Sequence, residues 1–261
     1  MARVVGKFIK GVIGDAVYRQ YGETQVIQAK PKANKHVQAK GSTASAAQFG
    51  TSSKLGCEIR RSLHLLLAKF SDTQMIGRLN SVVLKAVRAA RNVVTDTYDL
   101  ETDSFSPLDG FEFNIHSKVA NILLAKLQVN SAANVYSVQL PELNIPAQLK
   151  FFRSISCKLT ISCTHFDLKN CYRNTAIAAI DMENKKASFP GAAWAFEAQP
   201  GCLCIIAAGL QFFRQGYNGP EPINNKNLNP CAIVKALWVD GEADLSVTNT
   251  WATSFITPLV R

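Results

Sequence analysis

The sequence predicts a mainly β protein with a helical N-terminal region: an antiparallel β-sandwich, Ig-like or jelly-roll-like, preceded by a β-hairpin, an extended arm and two helices. Three observations predict it. Beyond Asp96 the chain alternates short apolar or β-branched runs with polar turns, and no helical pattern intervenes. Before that point, apolar residues recur at helical spacing. Ahead of both, a glycine-punctuated segment is followed by a lysine-rich one. The division that results is 1–45 for the hairpin and basic arm, 46–95 for a helical hairpin, and 96–261 for the sandwich.

The first thirty residues contain apolar pairs four apart, Val4-Val5, Phe8-Ile9, Val12-Ile13 and Ala16-Val17. Taken as a helix they form a cationic amphipathic peptide suited to a membrane surface. Gly6, Gly11 and Gly14 each disfavour that helix by roughly 1 kcal/mol relative to alanine. A hairpin of Val12–Arg19 and Thr24–Ala29 around Tyr21-Gly22-Glu23 is therefore preferred. From Lys30 to Ser45 lysines recur with almost nothing to bury, which predicts an extended arm.

The first helix carries Phe49, Ile59, Leu63, Leu66, Leu67 and Phe70 on one stripe. The second starts at a capping box, Ser71 to Gln74, and continues through Leu79, Val83, Val87, Ala90 and Val94. Arg78, Lys85, Arg88 and Arg91 form a drifting basic stripe opposite. So small a helical hairpin cannot bury its apolar stripe alone and has to pack on the β domain or on another subunit.

Strands are then expected at 111–115, 119–129, 135–140, 149–152, 158–167, 175–180, 192–197, 202–213, 232–239 and 245–251, with turns at 130–132, 199–201, 216–220 and 240–241. No internal repeat indicates a solenoid or propeller.

Hydrophobic residues at 47% and charged ones at 18% exclude disorder throughout, because such a chain can bury a sizeable core. The net charge of +10 is unevenly placed: residues 1–95 hold 16 Lys and Arg against 4 Asp and Glu, whereas 96–261 hold 13 against 15. That asymmetry points the front of the chain at an acidic partner, nucleic acid or another polyanion, or the acidic surface of a neighbouring copy. The candidate contact residues are Lys30, Lys32, Lys35, Lys40, Arg78, Lys85, Arg88 and Arg91. Seven cysteines, an odd count set mostly in apolar runs, favour folding in a reducing compartment. No apolar stretch is long enough to span a membrane, and no signal peptide is read, so the expectation is a cytoplasmic protein or one exported unconventionally as part of an assembly.

No active site is predicted. Cys163, His165 and Asp167 share one face of a strand, but successive same-face residues lie about 6–7 Å apart, too far for a nucleophile and its base. There is no C-x-x-C pair, and His36, His64, His116 and His165 are scattered, so neither metal nor cofactor is expected. Gly11 and Gly14 lack the lysine or third glycine of a phosphate loop. Trp194, Trp238 and Trp251 read first as core or rim residues and only second as sugar-stacking groups.

The segment Gly11 to Tyr18, with Gly22, the strand from Gln25 to the Lys30-Pro31 step, and the helix start at Gln48-Phe49-Gly50, resembles a group of uncharacterised proteins common in Bacteroidota. The likeness covers about the first quarter of the chain. In that group a glycine-punctuated strand pair and a Gln-containing helix precede a strand-rich domain, a layout similar to secreted or particle-forming structural proteins. The resemblance carries over no catalytic residues. The function expected is that of a non-enzymatic subunit that self-assembles into a filament, tube or particle through its N-terminal extension; the alternative is a nucleic-acid-binding or virion-type protein.

Overall fold

The computed structural model describes residues 2–30, 40–92, 94–95, 97–132, 135–145, 147–243 and 251–256. The chain divides into two compact units, residues 1–43 and 44–261.

The first unit is a four-stranded antiparallel meander: β1 (Arg3–Val5), β2 (Phe8–Ile13), β3 (Ala16–Tyr21) and β4 (Thr24–Ala29). The Tyr21-Gly22-Glu23 turn lies where the sequence places it. The preceding run, Val12–Arg19, is not one strand, because Gly14 takes a left-handed φ of +55° and turns the chain between β2 and β3. Gln25 ties the meander together. Its Nε2 donates to the carbonyls of Ile9 and Arg19, and its Oε1 accepts from the Ile9 amide.

α1 (Lys40–Ser62) runs across the boundary into the second unit, where α2 (His64–Leu67) and α3 (Met75–Ala89) follow. The expected arm is thus helical from Lys40 on, and residues 31–39 lie outside the described residues. The stripe drawn from Phe49 to Phe70 is broken by a turn at Leu63, beyond which α2 starts a new direction. Phe49 is 54% exposed and takes no part in the core, whereas Leu55, absent from the expected stripe, is fully buried. The capping box does not form either. α3 starts at Met75 with Gln74 as its N-cap, and Asp72, not Ser71, takes the amide of Gln74 on its Oδ1.

The strands of this unit are β5 (Arg91–Asn92), β6 (Thr97–Tyr98), β7 (Gln128–Ala132), β8 (Val135–Leu140), β9 (Leu143–Asn144), β10 (Ser156–Asp167), β11 (Tyr172–Glu183), β12 (Ser188–Phe189), β13 (Ala192–Glu197), β14 (Cys202–Gly216), β15 (Gly219–Pro222), β16 (Cys231–Trp238) and β17 (Ala252–Thr253). The central sheet runs β15-β14-β10-β11-β17, with β16 also paired to β14, and every pair is antiparallel. A smaller sheet, β13-β8-β7, contributes Tyr136, Val138 and Phe196 to the core on one side of it.

Alternation along β10 and β14 divides the interior in two. Phe166, Leu203, Ile205 and Ala207 face one way and join Leu55, Ile59, Leu63, Leu79 and Val83 of the helices. Leu159, Ile161, Cys163, Cys204 and Ile206 face the other way and join the small sheet. The sandwich is therefore helix, sheet and sheet, with the long antiparallel sheet in the middle. The apolar stripe of the helices finds its cover on this chain's own β domain, the first of the two partners expected for it. Gly209 lets that contact close: a β-carbon there would stand 3.0 Å from Leu66 Cγ.

Several expected strands are absent. Residues 119–129 begin with a 3-10 turn at Val119–Asn121 and reach strand geometry only at Gln128. Residues 149–152 contribute one bridge, Leu123 to Leu149, and then turn through positive φ at Phe152 and Arg153. Residues 111–115 pair with β16 through a single bridge, Glu112 to Ala232. The turn expected at 130–132 is strand, the last three residues of β7. Of the strand expected at 245–251, residues 245–250 lie outside the described residues.

Candidate functional site

Of the eight predicted contact residues, Lys32 and Lys35 lie outside the described residues, and Lys40 starts α1. Lys30, at the end of the meander, is exposed, and its amide donates to the Asp15 carbonyl. On α3, Lys85 and Arg88 are exposed, but Arg78 is engaged within the fold. Its Nη2 donates to Asp72 Oδ2 and to the Glu112 carbonyl at 2.9 Å, and its guanidinium lies 5.0 Å from the Phe111 ring centroid. Arg91, in β5, is half-buried and has a partner within the protein. Of the four candidates on α3 and β5, Lys85 and Arg88 face solvent, whereas Arg78 and Arg91 are engaged within the fold.

The Arg78 cluster has a pH signature. Asp72 is almost fully buried, which raises its carboxyl pKa, but the Arg78 hydrogen bond and charge and the amides of Ile115 and Gln74 outweigh burial and hold it below the usual value. A carboxyl depressed in the folded state stabilises the fold above its unfolded pKa of about 3.9 and loses that contribution as pH falls through the folded value. Asp72→Asn is expected to lower stability at pH 7 by about 2 kcal/mol. Urea denaturation at pH 7 and pH 3 checks this, since the gap between the two proteins narrows at the lower pH.

The meander forms a second feature. No residue from Ala2 to Lys30 is buried, and Val4, Ile13, Tyr21 and Ile27 are exposed. Among the described residues, β1 and β4 each pair with one strand and leave one edge free.

The third feature escaped the sequence reading. Cys163 and His165 are same-face neighbours on β10, and the antiparallel register sets Cys204 of β14 directly opposite His165. Cys163 Sγ lies 3.5 Å from Cys204 Sγ and 3.9 Å from His165 Nε2, and all three ligating atoms fall within 4.8 Å of one another. The cluster is buried between the two sheets. Tyr136 of β8 stacks on His165 at 6.4 Å between ring centroids and 23° between planes, which fixes the imidazole orientation. A hydrogen bond from the Cys204 thiol, aided by His165, outweighs burial and lowers the Cys163 pKa, while burial raises that of Cys204. Asp167, the third member of the triplet weighed from sequence, is engaged elsewhere. Its carboxylate accepts from the amides of Lys169 and Asn170 and from the Asn170 side chain. Cys163-x-His165 and Cys202-x-Cys204 were visible as spacings, but only the strand register joins them. Trp238, weighed as a sugar-stacking group, is buried in the core.

Fold and site together define a mainly β protein with helix, sheet and sheet layers, an N-terminal meander and a buried thiol–imidazole cluster. No protein-family model matches the chain, and no curated protein or solved structure matches it. Among the described residues, no helix is long and apolar enough to cross a membrane.

Proposed function

We propose that this protein is a non-enzymatic structural subunit that assembles with copies of itself into a filament, tube or particle through its N-terminal meander. The observation that carries this reading is a four-stranded sheet that, among the described residues, has no buried residue and leaves both edges free. A sheet gains independent stability from an apolar face packed against something, and this one has exposed apolar side chains instead. Free edges recruit further strands by main-chain hydrogen bonding. A second copy is the occupant that fits, because β1 and β4 lie at opposite sides of the sheet. Pairing β4 of one copy with β1 of the next is head-to-tail, and such contacts propagate when the rotation does not close.

Negative-stain microscopy with size-exclusion chromatography tests the reading. Ordered, concentration-dependent assemblies support it, and a monodisperse monomer at every salt and concentration removes it. Ile27→Lys puts a charge on exposed edge strand β4 and is expected to leave the thermal midpoint nearly unchanged while shifting the chromatogram toward monomer. The second reading, nucleic-acid binding, draws on Lys30, Lys85 and Arg88 and predicts retention of DNA or RNA that falls steeply with salt. The engagement of Arg78 by Asp72 weakens it.

A further inference from the structure

Two thiols and an imidazole converge in the layer between the central sheet and β8, and none of the three is needed to complete a backbone hydrogen bond or an ion pair described above. We propose that Cys163, Cys204 and His165 form a binding site for a thiophilic d10 cation, Zn2+ or Cu+. The inference is independent of the assembly reading, since it concerns the interior of residues 44–261.

Donor type and geometry agree. With Zn–S near 2.3 Å and Zn–N near 2.0–2.1 Å, a tetrahedral centre separates two sulfurs by roughly 3.8 Å and a sulfur from a nitrogen by roughly 3.6 Å. Here Cys163 Sγ lies 3.5 Å from Cys204 Sγ and 3.9 Å from His165 Nε2, and the three donor atoms all lie within 4.8 Å of one another, so side-chain movements on the order of 1 Å close the site. Thiolate and imidazole together select Zn2+ and Cu+ over oxygen-seeking cations such as Mg2+ and Ca2+. Three protein ligands leave one position of a tetrahedron for a small exogenous ligand. His165 also borders a cavity of about 260 Å3, lined by Asn174, Phe196, Glu197 and Gln199. Tyr136 acts as a positioning residue by holding the ring against rotation. Binding releases the proton of Cys204, so affinity rises with pH.

A Cys163–Cys204 disulfide is the competing use of the same sulfurs. It requires the sulfurs to close from 3.5 Å to about 2.05 Å and leaves the convergent imidazole without a role.

The test uses the full chain, reduced with a phosphine, stripped of metal with a chelator, and titrated anaerobically with Co2+ and then Zn2+. The expected result is one equivalent of Co2+ with a thiolate-to-cobalt charge-transfer band and the intense visible bands of a tetrahedral centre, all bleached by Zn2+. Cys163→Ala is expected to weaken binding on the order of 100-fold or more, whereas the Cys57→Ala, Cys171→Ala double variant binds as the parent does. Should Cys163→Ala fail to fold, mass mapping of alkylated thiols in the parent gives the same answer, with Cys163 and Cys204 protected by Zn2+. A reduced parent chain that shows no charge-transfer band, or a Cys163→Ala variant that binds undiminished, overturns the site. So does a chain that binds no cobalt when reduced and forms the Cys163–Cys204 disulfide in air.

Discussion

Glu58→Ala is expected to lower the unfolding free energy by about 3 kcal/mol, among the largest single-residue losses in this fold. Glu58 lies on α1 with its carboxylate 1% exposed, and it accepts from Arg61 at 2.6 Å and from Arg173 of β11 at 3.1 Å. Arg173 is opposite Phe166 in the register, on the face that packs against the helices, so this ion pair fastens α1 to the central sheet. Removing the carboxylate leaves the Arg173 guanidinium, only 23% exposed, without its counter-charge. Arg61 loses less. It is half-exposed and keeps its position 5.0 Å from the Phe255 ring. Loss of one partner in a fully buried pair costs roughly 3–5 kcal/mol, and the partial exposure of Arg173 places the effect at the lower end. The paired replacement Glu58→Leu with Arg173→Met is expected to recover most of the loss, because it removes both charges and fills the space. Equilibrium denaturation of the two variants beside the parent checks this. A single variant within about 0.5 kcal/mol of the parent contradicts the assignment of Glu58 as a buried clamp.

Deleting residues 2–30 is expected to abolish assembly while leaving the remaining fold intact. All the residues of the two hydrophobic clusters belong to the 44–261 unit, so the deletion removes no buried side chain from either. Its thermal midpoint should follow that of the full chain at low concentration. In light scattering it should run as a monomer, whereas the full chain of 28.5 kDa should run as a multiple of that mass. A shortened chain that still assembles assigns the contact to the 44–261 unit.

The sequence carried the sheet's long strands well and its short connections poorly. β8 and β13 were readable to the residue, and β14 from its first residue, because β-branched and aromatic residues there are bounded by turn formers. The run 119–129 was just as apolar. Val119, Ile122, Leu123 and Ala125 are indeed buried, but the backbone satisfies itself through a 3-10 turn and a single bridge. Apolar content reports burial, not conformation. The helical stripes showed that cover was needed without showing where, and the cover is Phe166, Leu203 and Ile205 of the same chain. The Cys163, His165 and Cys204 cluster was hidden for a related reason. Cys204 lies 41 residues from Cys163, and their meeting depends on the register of β10 with β14, which no local pattern encodes.

Hydrogen–deuterium exchange of the full chain, followed at residues 3–5 and 24–29 across a range of protein concentrations, tests most directly whether the meander gains its cover from another copy. The account predicts rapid exchange at high dilution and protection that grows with concentration at β1 and β4, the two free edges. Exchange at these strands that is unchanged over the whole range, fast or slow, contradicts it.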